Sequence, residues 1–187
     1  MAEQIWLIRH GETPWSLTGQ HTGRSDIALT AKGEDDARAI AAKLEGATFE
    51  LVLCSPLIRA QRTCELAGYL PQAQLDPDCM EWDYGEINGR TREEYRAEHP
   101  GWIIWDGPVP GGETIEQVAA RAARVVERAA EVPGRVAIFA HGHFLRIFTA
   151  TYLELPPRTA KNFALATAHL SVLGADNGYP AIQRWNF

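Results

Sequence analysis

Two histidines and two arginines stand where short apolar runs stop. Ile5-Trp6-Leu7-Ile8 ends on Arg9-His10-Gly11, Phe49–Cys54 ends on Ser55 with Arg59 one helical turn on, and Val136–Ala140 ends on His141-Gly142. Runs of this length read as buried strands. In open α/β sheets, ligands bind beyond the carboxyl ends of the strands. If these strands are parallel, Arg9, His10, Arg59 and His141 share one edge. A guanidinium presents a fork of donors that matches phosphate oxygens, so such a gathering describes an active site for a small anionic substrate. Singly, each residue has a plainer reading. A lone histidine at a strand end is more often structural, and Arg59 could simply pair with Glu65 or another surface carboxylate. The joint occurrence favours a site.

The elements that would position these residues follow from the apolar pattern. Strands are expected at Gln4–Ile8, Phe49–Cys54, Val136–Ala140 and Leu170–Leu173, with a weaker one near Ala181–Trp185. Thr30 reads as the N-cap of a helix over Lys32–Leu44 closed by Gly46. Ser55-Pro56 reads as N-cap and first helical residue before Leu57–Leu70. Ile115, Val118, Ala119, Ala122, Val125, Val126 and Ala129 form a helical stripe within Glu113–Glu131. Phe144–Leu153 completes the set. Strands alternating with helices imply an α/β layered fold: a mostly parallel sheet flanked by helices in three layers. The chain reads as one domain over residues 1–187, with 79–112 as an elaborated loop or short cap.

Composition narrows the function classes. The chain has 187 residues, 45% of them hydrophobic and 22% charged, and a net charge of -6. That balance argues against a nucleic-acid or anionic-membrane surface, but a small anion needs only a few local arginines. No apolar stretch approaches the roughly 20 residues of a membrane span, and "MAEQ" does not open a signal segment. Cys54, Cys64 and Cys79 form no C-x-x-C motif and are odd in number, which suits a reducing compartment and a cytoplasmic protein. His141-x-His143 lacks further ligands at a familiar metal spacing, so neither metal nor cofactor is expected. The tryptophans read as core or pocket wall, since they lack the basic interleaving of a base-stacking surface. The pattern locates no exposed apolar patch from which an oligomeric state could be read.

Five motifs then appear in chain order: "RHGETPW" (9–15), "GQHTGRSDIALTAKGEDDA" (19–37), "CSPLIRAQRT" (54–63), "EWDYGEINGRT" (81–91) and "FAHGHFLR" (139–146). Together they resemble the histidine phosphatase superfamily, also called phosphoglycerate-mutase-like, over nearly the whole chain. The resemblance implies a phosphoglycerate-mutase-like fold and a metal-independent enzyme. It implies that His10 is the nucleophile that forms a phosphohistidine. Arg9, Arg59 and His141 would surround the transferred phosphoryl group, and Gly142 with Thr22-Gly23 would bring backbone donors near the substrate. Glu81 would be the general acid and then the base. It must carry a proton for the first step, which a partly apolar wall of Met80, Trp82 and Tyr84 would favour. His143 is expected to begin a helix and support the pocket.

The same resemblance separates two activities. Mutases of the family carry asparagine after the signature tryptophan, where this chain has Ser16, and Pro14 precedes that tryptophan. Glycolytic mutases also carry a long arginine-bearing insertion after the general acid, whereas Arg90–Gly112 is short and holds only Arg90, Arg92 and Arg96. A short cap makes it harder to keep water from a phosphohistidine, so a phosphatase is favoured over a phosphoglycerate mutase. "WSLTGQHTG", "EWDYGEINGRT", "WIIWDGPVPGGET" and "FAHGHFLR" resemble sedoheptulose-1,7-bisphosphatase-like phosphatases. A sugar bisphosphate would need a second anchor, for which Arg24, Arg90 and His21 are candidates. A protein phosphatase and a catalytically silent binding protein are the remaining alternatives.

Overall fold

A computed structural model describes residues 2–44 and 46–187. Six strands form one sheet in the order β3-β2-β4-β1-β5-β6. They are β1 (Ala2–Arg9), β2 (Leu51–Cys54), β3 (Ala73–Leu75), β4 (Gly134–Ala140), β5 (Leu170–Asp176) and β6 (Tyr179–Arg184). β1, β2, β3 and β4 run parallel, while β5 lies antiparallel to both β1 and β6. The mostly parallel α/β architecture inferred from the sequence is therefore present. β3 is the strand the apolar pattern does not reveal: its three residues are half-buried or exposed and carry no apolar run.

Register sets the functional edge. Arg9 pairs with Ala140 and Cys54 with Phe139, so His10, Ser55 and His141 each lie one residue past a paired strand end. The His10 N–H donates to the Ala140 carbonyl (3.0 Å) and the Ser55 N–H to that of Phe139 (3.0 Å). Because β5 runs the other way, the segment before it arrives at this same edge, where the Ala168 N–H donates to the His10 carbonyl (3.0 Å).

The helices are α1 (Pro14–Thr18), α2 (Ala31–Lys43), α3 (Ile58–Leu66), α4 (Arg92–Glu98), α5 (Ile115–Ala130) and α6 (Gly142–Tyr152). Thr30 caps α2 as expected, accepting from the Gly33 N–H, and Thr114 closes a capping box with Gln117 at α5. The Ser55-Pro56 expectation is corrected: α3 begins at Ile58, with Leu57 at the N-cap position making no side-chain cap bond. The cap is supplied from elsewhere in the chain, since the Asp26 carboxylate accepts the Ile58 N–H (2.9 Å). Ser55 is thereby released for another partner. α1 and α4 are too short for periodicity to disclose, but both open with a capping box.

Buried apolar residues cover both faces of the sheet. Leu7, Ile138, Val118, Val125, Phe144 and Phe148 belong to one cluster, and Ile8, Ile40, Val52, Ala60 and Phe139 to the other. Alternate residues of β1 and β4 thus feed opposite layers, as the period of a strand requires. Trp82, Tyr84, Ile87, Tyr95 and Trp102 of the 79–112 segment join the first cluster. No described helix is long and apolar enough to cross a membrane.

Candidate active site

At the carboxyl edge lies a cavity of about 200 Å³ whose lining includes Arg9, His10, Ser16, Thr22, Arg59, Glu81, Tyr84 and Gly142. The His10 ring Nδ1 lies 2.7 Å from its neighbour's carbonyl, Gly11 O. A carbonyl only accepts, so Nδ1 carries the hydrogen and Nε2 keeps its lone pair. Burial pushes the imidazole well below its ordinary value, and Arg59 and Arg9 push in the same direction. His10 is thus a neutral base or nucleophile at neutral pH. Gly11 serves packing: a Cβ there would stand 2.3 Å from the Gly33 carbonyl oxygen, at the start of α2.

Arg59 is fully buried. It does not pair with Glu65, whose partner is Arg62 (2.8 Å). The Arg59 guanidinium donates instead to the carbonyls of Ser25 (2.8 Å) and Gly23 (2.7 Å). Gly23 therefore holds Arg59 from behind and is not part of the cavity lining, while Thr22 beside it is. Arg9 is held by the Leu165 carbonyl, supplied by the segment before β5. A Cβ on Gly142 would fall 3.1 Å from Arg9 Cζ, so glycine at that position lets Arg9 lie against the start of α6.

His141 is fully buried next to His10, with ring centroids 5.2 Å apart, and is not on the cavity surface. Its Nε2 lies 2.7 Å from Ser55 Oγ, and Ser55 Oγ accepts the Leu57 N–H (3.3 Å). Ser55 thereby links the His141 ring to the segment that leads into α3. His141 Nδ1, Arg9 Nε and Arg59 Nε are buried side-chain nitrogens without a hydrogen-bond partner among the described residues. Unsatisfied buried nitrogens are costly, and all three belong to residues that neighbour His10.

Glu81 is buried, with Trp82 and Tyr84 beside it. Its Oε1 accepts the N–H groups of Trp82 (2.9 Å) and Phe144 (2.9 Å), and its Oε2 that of His143 (3.1 Å). The carboxylate thus satisfies free donors in the first turn of α6, whose N-cap residue His141 makes no side-chain cap bond. The Tyr84 hydroxyl bonds to His143 Nδ1. Burial raises the Tyr84 phenol well above its ordinary value and lowers the His143 imidazole well below its own. His143 lies within α6 and lines the cavity.

Of the second-anchor candidates, His21 lines the cavity, but two others do not and are corrected. Arg24 turns to Glu113 (3.3 Å) and Asp83 (3.7 Å). Arg90 pairs with Glu98 and lies over the Tyr95 ring at 5.1 Å. In each case a nearby carboxylate claims the arginine. Two residues that sequence reasoning missed take part instead. Arg146 lines the cavity. Arg121 is buried on α5, paired with Glu113 (2.9 Å), and donates to the carbonyls of Asp78 (2.8 Å), Met80 (2.6 Å) and Glu81 (3.1 Å). Burial alone would raise the Glu113 carboxyl, but Arg121, the Asp83 N–H and Arg24 outweigh it and hold it below its ordinary range. An arginine interrupting the apolar stripe of α5 was the one available sign of Arg121.

This constellation can bind a phosphoryl group against a neutral imidazole nucleophile, with a carboxylate close by for proton transfer. Over residues 5–187 the chain matches the histidine phosphatase superfamily (branch 1). Among curated relatives, a Mycobacterium tuberculosis protein named "Acid phosphatase" is 37% identical over 181 residues, spanning 94% of this chain and 88% of the relative. A Cronobacter sakazakii protein named "Probable phosphoglycerate mutase GpmB" is 30% identical over 178 residues, spanning 90% and 83%. The solved structure of the M. tuberculosis open reading frame Rv3214 superposes with a TM-score of 0.95 at 32% identity, covering 100% of this chain and 98% of that one. The mycobacterial glucosyl-3-phosphoglycerate phosphatase Rv2419c, solved with VO3, gives 0.88 at 25% identity, covering 99% of both chains. With the match spanning almost every residue, this chain belongs to the histidine phosphatase superfamily, branch 1.

Proposed function

We propose that the protein is a phosphomonoester hydrolase that works through a phosphohistidine on His10, without a metal ion, on a small phosphorylated substrate. The observation that carries this reading is a neutral imidazole, His10, whose Nδ1 is already bonded to Gly11 and which shares one cavity with Arg9, Arg59 and Glu81. Phosphoryl oxygens are the acceptors that the forked donors of two guanidinium groups match. Two guanidinium groups neutralise the charge for which other phosphatases use a metal ion. In the first step His10 Nε2 bonds to phosphorus as the ester P–O bond breaks, and Glu81 gives its proton to the leaving oxygen. In the second, water attacks phosphorus, Glu81 takes the water's proton, and the P–N bond breaks to release phosphate.

Hydrolysis is favoured over mutase activity because a short cap leaves a phosphohistidine harder to shield from water, and its arginines are occupied: Arg90 with Glu98, Arg92 with Glu93 (3.3 Å) and Arg96 with the Trp102 carbonyl (2.6 Å). A relative's name, phosphoglycerate mutase, keeps isomerisation as the second reading. A core cavity of about 200 Å³ suits a small molecule rather than a folded protein surface. Within that class the motif resemblance favours sugar phosphates and bisphosphates, with sedoheptulose 1,7-bisphosphate as a specific candidate. Three free buried cysteines accord with a reducing, cytoplasmic setting.

The test is phosphate release, with EDTA present, from a panel of sugar phosphates, bisphosphates, 3-phosphoglycerate and a phosphotyrosine peptide. EDTA-resistant release by wild type that is absent in His10→Ala supports the reading. Isomerisation of 3-phosphoglycerate without release would replace it with the mutase.

A further inference from the structure

Past Gly19, His21, His143 and Arg146, the chamber containing His10 adjoins a wider one of about 510 Å³, and these four residues line both. The outer chamber is walled further by Arg92, Glu93, Ile104, Trp105 and Lys161. Its charge is one-sided. Arg92, Arg146 and Lys161 face a single carboxylate, Glu93, which is committed to Arg92 at 3.3 Å. Arg146 and Lys161 make no ion pair among the described residues, although most other arginines here find a carboxylate.

Arg146 is also held in place before any ligand arrives. Its Nε donates to the Ala160 carbonyl (3.0 Å) and one Nη to that of Lys161 (2.9 Å). Its guanidinium lies 4.4 Å from the centroid of the Trp105 ring. The remaining Nη has no hydrogen bond among the described residues. Burial and the charge of Arg9 bring Arg146 down to about 10, still cationic at neutral pH but at a cost that a nearby anion would relieve. Fixing one guanidinium in the same chamber as an exposed lysine gives both geometry and reach.

We propose that the outer chamber is a subsite for a second anionic group, carboxylate or phosphate, carried by the same small molecule whose phosphoryl group sits at His10, with Arg146 and Lys161 as its holders. The proposal rests on the reading of His10 as the phosphoryl site and names its substrate class as phosphomonoesters bearing two anions. It moves the second anchor away from Arg24 and Arg90, whose charges are spent on carboxylates.

The test is calorimetric binding of ligands that cannot be hydrolysed: methylphosphonate, a series of phosphonoalkanoates and a series of alkane bisphosphonates of increasing spacer length. Wild type is compared with Lys161→Gln and Lys161→Glu, in which the Lys161 carbonyl that Arg146 uses is kept. At least one two-anion ligand is expected to bind about tenfold or more tightly than methylphosphonate. That advantage should shrink in Lys161→Gln and vanish in Lys161→Glu, with the melting temperature unchanged because Lys161 is exposed. Whether the carboxylate or the phosphate series shows the larger advantage identifies the second group. If methylphosphonate binds as tightly as every two-anion ligand, or if the advantage survives Lys161→Glu, the subsite is refuted while the phosphoryl site stands. If no ligand binds, the reading of His10 has failed and the subsite falls with it.

Discussion

Arg121→Met isolates the part of the structure that holds Glu81 in place. Methionine approximates the volume and removes the charge. The substitution deletes the pair with Glu113 and three bonds to the carbonyls of residues 78, 80 and 81. Stranding one partner of a buried ion pair costs about 3–5 kcal/mol. Glu113 retains Arg24 at 3.3 Å and the Asp83 N–H at 2.9 Å, so the lower end, about 3 kcal/mol, applies. For a chain of this length that corresponds to a fall in melting temperature of roughly 6–12 °C. Circular dichroism melts give the stability, and kcat/KM at a temperature where the variant is folded gives the consequence for the site. Activity should fall through kcat by at least about tenfold, because the backbone bearing Glu81 loses its anchor. Adding Glu113→Gln removes the stranded carboxylate, so the double variant should be about 1–2 kcal/mol more stable than additivity allows. A melt within about 2 °C of wild type, or strict additivity of the two substitutions, would refute the anchoring role.

Other expectations can be checked alongside. His10, His141 and His143 are all held below the ordinary imidazole value by burial, so as pH falls below about 6.5 the unfolded chain gains protons that the folded one refuses. Stability should then drop by up to about 1.4 kcal/mol per pH unit for each histidine, read from urea midpoints between neutral and mildly acidic pH; a flat profile would contradict their neutral burial. The same depression of His10 predicts that the acid limb of kcat/KM lies below the ordinary imidazole value, and a limb at or above about 6.5 would count against it. Arg59→Lys should lower kcat/KM by about a hundredfold or more, since an ammonium cannot hold the Gly23 and Ser25 carbonyls and still present a donor to phosphate; near-normal kinetics would remove Arg59 from the site. Gly142→Ala, which places a Cβ 3.1 Å from Arg9 Cζ, should lower kcat/KM about tenfold with little loss of stability. By contrast, Gly11→Ala meets the backbone of Gly33 at 2.3 Å and should cost about 1–3 kcal/mol of stability, measured by denaturant unfolding.

The residues that the sequence makes legible are those at strand ends. An apolar run stopping on a charged residue is visible without coordinates, and parallel register then brings Arg9, His10, Ser55 and His141 to one edge. Glu81 becomes legible only through the motif resemblance, because nothing near it in the chain discloses that it reaches the first turn of α6. Side-chain partnerships across the fold are the part that stays hidden. Arg24 and Arg90 sit in motifs and look available, yet Glu113, Asp83 and Glu98 engage them. Arg146 looks like an ordinary helix residue until the Ala160 and Lys161 carbonyls and the Trp105 ring meet it. Ser55 illustrates the same point for local structure: a good N-cap residue is diverted to His141, and Asp26 caps α3 from a distance. β3 escapes because three residues forming an edge strand need no apolar run of their own.

The most direct test of the account is a rapid acid-free quench of the enzyme during turnover of a phosphate-labelled substrate, followed by peptide mapping. A phosphoryl group attached to His10, stable to base, labile to acid and absent in His10→Ala, is the predicted result. Turnover without any labelled histidine, or label on a different residue, would contradict the proposal that His10 is the nucleophile.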